Sequence, residues 1–218
     1  MATRRRGVAA MRKRKDPDGS RADILSAATA EFAARGVDGA RIDSIARRTR
    51  TTRAMIYYYF RDKEGLYRAV IEDAYRGIRE AEKELDLGHL PARDAIRELV
   101  SFTVDYYVAH PEFVALVIAE NQSGGRHIRR MHRIRSLNVS IVDTIADLLA
   151  RGRRDGTIRR GIDPIELHMA IAALGWFRIA NRHTFGYLFG RDFDAPATIK
   201  RDRERITEMV WRFVRKIA

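Results

Sequence analysis

Six side chains within eleven residues carry the chemistry this chain offers most plainly: Arg53, Ala54, Met55, Tyr57, Tyr58 and Lys63. A guanidinium is a rigid fork of donors that matches the acceptor edge of guanine or a phosphate. Phenolic hydroxyls and an ammonium reach phosphate oxygens, and a small alanine lets a helix sit close to a groove. This is the chemistry of reading a duplex. No Gly-x-Ser-x-Gly, His-Glu-x-x-His, phosphate-loop or dinucleotide motif occurs in the sequence, so no catalytic residue is assigned and an enzyme is not expected. His127 and His132 stand five apart with no third ligand nearby, so neither a metal nor another cofactor is expected.

Such a face is useful only on a helix that is held firmly. Thr52 can cap the helix by accepting a hydrogen bond from a backbone N–H two or three residues on, and Ile56 and Phe60, four apart, supply its buried pair. One helix earlier, Ile42, Ile45 and Ala46 fall at i, i+3 and i+4 and form an apolar stripe, while Asp43, Ser44, Arg47 and Arg48 point elsewhere. Residues 41–64 therefore read as two short helices joined by a tight turn and followed by the basic start of a third. An aromatic run at helical spacing is also a common core pattern, so this stretch alone leaves both readings open.

Charge separates them further. The chain carries a net +13, and residues 1–70 hold 17 Lys/Arg against 8 Asp/Glu, a net +9 that leaves +4 for the other 148 residues. A basic excess confined to the end that holds the helix pair points to a polyanion, bound by phosphate neutralisation and counterion release. The preference for arginine over lysine, 36 to 6, is equally a matter of GC-rich codon usage. There is no cysteine, which fits a reducing, cytoplasmic setting. The longest uncharged apolar run, Met169 to Phe177, is half of the roughly 20 residues a membrane span requires, so no membrane partner is expected.

The remaining pattern is helical throughout. Residues 1–19 are rich in arginine and lysine and poor in large apolar groups, which predicts a disordered arm suited to a minor groove or simply a solvated tail. A first helix is expected from Ser20 to Gly36, the glycine taking a left-handed position after it. Asp62 should cap a long helix to about residue 84, and Pro91 should open a central one over 92–109, apolar on nearly every side. A short helix over 112–120, a break at Asn121–Gly125, and helices from about Arg126 to Arg151, over 164–181 and over 197–217 complete an all-α chain. Asp163-Pro164 supplies a cap followed by proline at the first helical position.

The stretch from Ile24 to Val70 resembles the DNA-binding domain of the TetR (tetracycline-repressor) family of bacterial transcription regulators. The resemblance is carried by Ile24-Leu25 with Ala28 and Phe32, by Gly36, by Ile45-Ala46, and by Ile56-Tyr57-Tyr58-Tyr59-Phe60 followed by Lys63-Glu64 and Leu66. It implies an N-terminal three-helix DNA-binding domain with a helix-turn-helix over 20–66 and a larger helical regulatory and dimerisation domain over 67–218. It places Arg53, Ala54, Met55 and Tyr57 toward bases or groove, and Tyr57, Tyr58, Tyr59 and Lys63 toward phosphates; Thr52 at the helix start joins this DNA-binding set. Arg41 stands where the family has a capping threonine that touches phosphate, which removes a cap and adds a charge. Thr49-Arg50 replaces the family's Ala-Gly turn, and a left-handed Arg50 would cost about 1 kcal/mol relative to glycine.

The resemblance further implies a homodimer, packed through the last two long helices, that reads a pseudo-palindrome and is released by an unknown small-molecule effector. Candidate effector contacts are polar or aromatic residues on otherwise apolar helices: Phe102, Tyr106, Glu120, Asn121, His127, His168, Trp176 and Asn181. For each, a satisfied core or interface residue is the plainer reading. The run Arg126, Arg129, Arg130, Arg133 and Arg135 would suit an anionic ligand or a solvated helix face. Against the effector-controlled repressor of double-stranded DNA stands a constitutive DNA-coating protein, which needs the charge but not the reading face.

Overall fold

A computed structural model describes residues 17–217, and most of the expected basic arm, residues 1–16, lies outside them. Ten α-helices follow one another in the described residues: α1 (Pro17–Gly39), α2 (Ile42–Arg48), α3 (Arg53–Phe60), α4 (Lys63–Lys83), α5 (Ala92–Ala109), α6 (Pro111–Gln122), α7 (His132–Arg154), α8 (Pro164–Ala180), α9 (Arg182–Phe189) and α10 (Pro196–Val214). Extended pairing is limited, among the described residues, to one isolated antiparallel bridge between Ile158 and Arg215. None of these helices is long and apolar enough to cross a membrane.

The first helix starts earlier than its apolar pattern suggests, at Pro17, and is broken at Gly36, where a stop is expected. That glycine has positive φ but extended ψ (64°, 179°), so it kinks the helix and lets one further turn run to Gly39. Its positive φ is as expected, and its extended ψ sets it apart from a left-handed helix cap. Beyond the kink, α1, α2, α3 and the start of α4 close a small core around Phe32, Ile45, Ile56, Phe60, Leu66 and Tyr67. Burying a side chain of this size stabilises by roughly 1.5–3 kcal/mol, so the set suffices to hold short helices that would not form alone.

The larger core lies between α5, α7, α8 and α10, with α5 at its centre. Leu99 and Val100 of α5 meet Leu148 of α7, Ile171 of α8 and Trp211 of α10 there. The 155–163 connection is fixed by Ile158, which is buried against Gly152: a Cβ on that glycine would lie 2.2 Å from the Ile158 Cδ1. Asp163 caps α8 as expected, accepting from the Ile165 and Glu166 N–H groups at 2.8 and 3.0 Å. The two cores are not insulated, because Leu116 of α6 and Ile134 of α7 are buried in the small one.

One boundary departs clearly from its expectation. The helix anticipated from Arg126 begins only at His132, preceded by a 3₁₀ turn over Ile128–Arg130. The cause is the buried Glu120, whose Oε1 accepts from the N–H groups of His127 (2.8 Å) and Ile128 (2.9 Å). Those donors are drawn back to α6, and the chain must turn before a regular helix can start. The basic run after it lies at the surface, where Arg126 pairs with Asp38 and Arg133 with Glu72.

Candidate nucleic-acid interface and effector cavity

α3 is held at both ends and along one side. At its start Thr52 Oγ1 accepts from the Met55 N–H (3.2 Å), and Ile56 and Phe60 are buried under it. Arg21 of α1 adds a cation–π contact to the Phe60 ring, 5.3 Å from its centroid. With that side committed, Arg53, Ala54, Met55, Tyr57 and Tyr58 are all exposed together, Tyr58 to 78 %. Tyr59 is half-buried, tucked toward the small core and edge-on to Tyr58. Its ring therefore supports the helix as well as flanking the face.

α2 has no side-chain cap of its own, since Arg41 occupies the capping position. The missing cap is supplied from α1. Glu31, 1 % exposed, accepts from the Arg41 N–H (3.2 Å) and the Ser44 hydroxyl (2.9 Å), and Arg35 and Arg48 approach it at 3.3 and 3.8 Å. Burial alone would raise the Glu31 pKa, but the Ser44 and Arg41 hydrogen bonds and the two guanidinium groups outweigh it and hold the carboxyl below the usual range. A carboxylate that accepts from backbone at a helix start does the work of a cap and suits the helix dipole. In the turn, Arg50 adopts positive φ, 51°, as the departure from glycine implies.

The exit from α3 is the most constrained turn of the head. Arg61 (φ 70°, ψ −54°) sits in a γ-turn of the rare, strained hand, closed by the Asp62 N–H donating to the Phe60 carbonyl at 2.9 Å. Asp62 then caps α4 by accepting from the Gly65 N–H (2.5 Å). Gly65 has no alternative, because a Cβ there would lie 2.1 Å from the Phe60 carbonyl oxygen. This turn places Lys63 at the first position of α4, with its Nζ donating to the Asp38 carbonyl at 3.1 Å. Glu31 and Gly65 escape a reading by helical period: the first looks like an exposed acid and the second like a tolerated glycine.

A second site lies in the larger part of the chain. A cavity of about 390 Å³ opens between α4, α5, α6, α7 and α8, with Tyr75, Arg79, Tyr107, Phe113, Val117 and Trp176 on its walls. Of the eight candidate effector contacts, Asn121, His168 and Trp176 line it. The other five lie elsewhere. Glu120 and His127 form the buried clamp beside α1 and α4, where the acceptor-only carboxylate requires the His127 Nδ1, 2.9 Å away, to carry the proton. Phe102 and Tyr106 are spent on aromatic packing, Tyr106 on His110 and Phe113. Asn181 folds back at the end of α8, its amide donating to the Phe177 carbonyl at 3.1 Å. Among the wall residues the sequence does not single out is Arg79, which in sequence looks like one more surface charge on α4.

Electrostatically the cavity is unusual. Burial, with some help from the nearby Arg79 charge, lowers the His168 pKa to about 4, so the ring is neutral at physiological pH. Burial likewise raises Tyr107 to about 12 and lowers Arg79 itself, although Glu82 opposes the latter. Glu82 is pushed up to about 7 by burial, against the pull of Arg79.

α6 stands between the two sites. Phe113, Val117 and Asn121, spaced by four, face the cavity, whereas Leu116 and Glu120, also four apart, face the small core and its clamp.

Comparison with known proteins agrees with this geometry. Residues 24–70 match the family described as bacterial regulatory proteins, tetR family, and residues 93–210 match the tetracyclin repressor-like C-terminal domain. The chain is 36 % identical over 192 residues to the HTH-type transcriptional repressor NicS of Pseudomonas putida, covering 88 % of this chain and 89 % of that one. It is 37 % identical over 113 residues to the repressor SCO4008 of Streptomyces coelicolor, over 51 % of this chain and 54 % of the other. Among solved structures, a TetR family regulator from Marinobacter aquaeolei superposes with a TM-score of 0.71 at 19 % identity, covering 94 % of this chain and all of the other.

Proposed function

The chain belongs to the TetR family of bacterial transcription regulators, and from that premise we propose a repressor that binds a pseudo-palindromic operator as a homodimer and leaves it when a small molecule enters the cavity. In this reading residues 20–66 are the reading head and 67–218 the regulatory and dimerisation part. Arg53, Ala54, Met55 and Tyr57 face the groove, and Arg41, Thr52, Tyr58, Tyr59, Lys63 and the Tyr57 hydroxyl hold the backbone. Like its relatives, it regulates by binding and not by turnover, and it works on cytoplasmic DNA.

The observation that carries the control step is α6. One stripe of this helix walls the cavity and the other is built into the core of the reading head. A ligand that repositions Phe113, Val117 or Asn121 therefore moves Leu116 and Glu120, and with them α1 and α4. For a near-complete switch the ligand must favour the released geometry by about 5.5 kcal/mol.

The homodimer is supported by what α8 and α10 leave uncovered. Ile165, Met169 and Phe177 on α8, and Met209 and Phe213 on α10, are exposed large apolar groups spaced by four or eight along one side of each helix. The short α9 between them, which the sequence pattern does not announce, adds exposed Tyr187, Leu188 and Phe189. Two copies facing each other across these helices would bury them and set two heads on a twofold axis.

Selection of bound genomic DNA followed by footprinting tests the function. A short pseudo-palindrome, weakened at all sequences by Tyr57→Phe or Lys63→Ala, is the expected outcome. Protection indifferent to sequence would instead identify a DNA-coating protein.

A further inference from the structure

Two side chains on the wall of the effector cavity, Arg79 and Trp176, hold buried donors without partners. Arg79 is 4 % exposed, yet its Nε and Nη1 have no hydrogen-bond partner among the described residues. Nη1 lies 2.9 Å from Glu82 Oε2, a charge contact without hydrogen-bond alignment, and Glu82 lines a separate small cleft toward Leu99 and Ser140. The Trp176 indole N–H, contributed to the wall by α8, is also buried without a partner. The two asparagines of the wall spend their amide donors on their own helices, Asn121 on the Val117 carbonyl and Asn138 on the Ile134 carbonyl, both at 2.8 Å. Between these polar groups the wall is aromatic and aliphatic.

An arginine withdrawn from water without its donors satisfied costs more than a surface ion pair returns, unless a ligand completes it. Its fork is matched by a planar carboxylate, held by paired charge-assisted hydrogen bonds. Glu82 neutralises the guanidinium only in part, because burial keeps that carboxyl partly protonated near neutral pH. The volume, about 390 Å³, lies at the small end of ligand pockets.

We propose that Arg79 is the anion receptor of this cavity and that the effector is a small organic carboxylate on an apolar or aromatic body. This deepens the reading of the cavity as the effector site and rests on it. The carboxylate engages Arg79, the Trp176 N–H donates to a second acceptor, and Tyr107 and Phe113 cover the apolar body.

Calorimetric titration of the full chain with benzoate and phenylacetate, each against its neutral carboxamide, tests the proposal. The acids should bind at least tenfold more tightly than the amides, and Arg79→Met should abolish that discrimination, with Arg79→Lys restoring part of it. If Arg79→Met does not fold, Glu82→Gln should tighten the acids severalfold by removing a competing carboxylate, and Trp176→Phe should weaken them. Amides that bind as well as acids, an Arg79→Met protein that still discriminates, or a Glu82→Gln protein that binds acids less well would each overturn the assignment. Operator release, followed in the same samples, separates the two readings. Acid binding without any change in DNA affinity would sink the effector role of the cavity and leave Arg79 an anion receptor.

Discussion

Arg53, the first residue of α3, and Asp43 of α2 form a bidentate ion pair across the helix-turn-helix, and both side chains are exposed. The Arg53 hydrogen bonds are the main reason that the Asp43 carboxyl sits below its usual range. The guanidinium assigned to base reading is therefore already occupied in the free protein, and a guanine edge must displace or share the carboxylate. A phosphate met at random faces the same competitor. Asp43 thus lowers indiscriminate binding more than it lowers binding to the correct site.

Asp43→Asn should accordingly raise affinity for random-sequence DNA severalfold, steepen the salt dependence by up to about 0.9 in log–log slope for each phosphate newly engaged, and shrink the operator-to-random ratio. Arg53→Ala should instead lose preference at one base position by about tenfold. Fluorescence anisotropy titrations over a salt series measure both. An Asp43→Asn protein whose random-DNA affinity is unmoved would leave the ion pair with no role in selectivity.

The turns before and after α3 should respond oppositely to changes at glycine-like positions. Arg50, at φ 51°, gains from the loss of its Cβ, so Arg50→Gly should stabilise the protein by about 0.5–1 kcal/mol after the extra chain entropy of glycine is counted. Gly65→Ala must push apart the α3–α4 junction, because its Cβ would meet the Phe60 carbonyl. A loss of several kcal/mol, typical of forced backbone overpacking at its upper end, and a matching fall in DNA affinity are expected. Thermal denaturation of the two variants beside the parent decides the signs.

Local chemistry was the part most legible in the residues. Thr52, Asp62 and Asp163 cap where their types and neighbours require, and Ile56 and Phe60 lie under α3 as their spacing implies. What escaped depends on partners far along the chain. Glu31 caps α2 from ten residues away, and Glu120 delays α7 by taking the N–H groups of residues 127 and 128. Arg79 lies on an α4 rich in charge, and only the packing of α5, α6 and α8 around it turns a surface-like arginine into a cavity wall. α9 buries none of its residues, so no one-sided apolar stripe announces it.

The uncovered faces of α8 and α10 predict a dimer that a charge on each of them can break. Phe177→Glu together with Met209→Asp places a carboxylate on each apolar face, where pairing two copies would bury it. Sedimentation should report a monomer. Operator affinity should fall about 100-fold or more, because each head then binds its half-site without the other, while affinity for an isolated half-site stays close to that of one head. A dimer that survives both charges would move the interface away from these helices.

Acid stability gives the last prediction, and its sign depends on two neighbours of Arg79 that oppose each other. The folded His168 has a pKa of about 4 against 6.5 when unfolded, so between those values the unfolded chain takes up a proton that the folded one refuses, and stability is lost as pH falls through that window. Glu82 behaves the other way. Its folded pKa of about 7 exceeds the ordinary 4.5, so the folded protein holds a proton there that the unfolded chain releases, and stability is gained as pH falls from 7 to 4.5. Each shift is of order 3 kcal/mol, so between pH 6.5 and 4.5 the two contributions nearly cancel. Glu31 and Glu120, both held below the usual carboxylate range, add acid lability only below about pH 4.5. The parent protein should therefore keep a nearly constant melting temperature from pH 6.5 to 4.5. Glu82→Gln removes the compensating proton and should expose the His168 dependence, with a melting temperature that falls by several degrees over the same interval. Adding His168→Phe to that variant should flatten the profile again, and a Glu82→Gln protein as indifferent to pH as the parent would show that His168 does not titrate against the buried guanidinium.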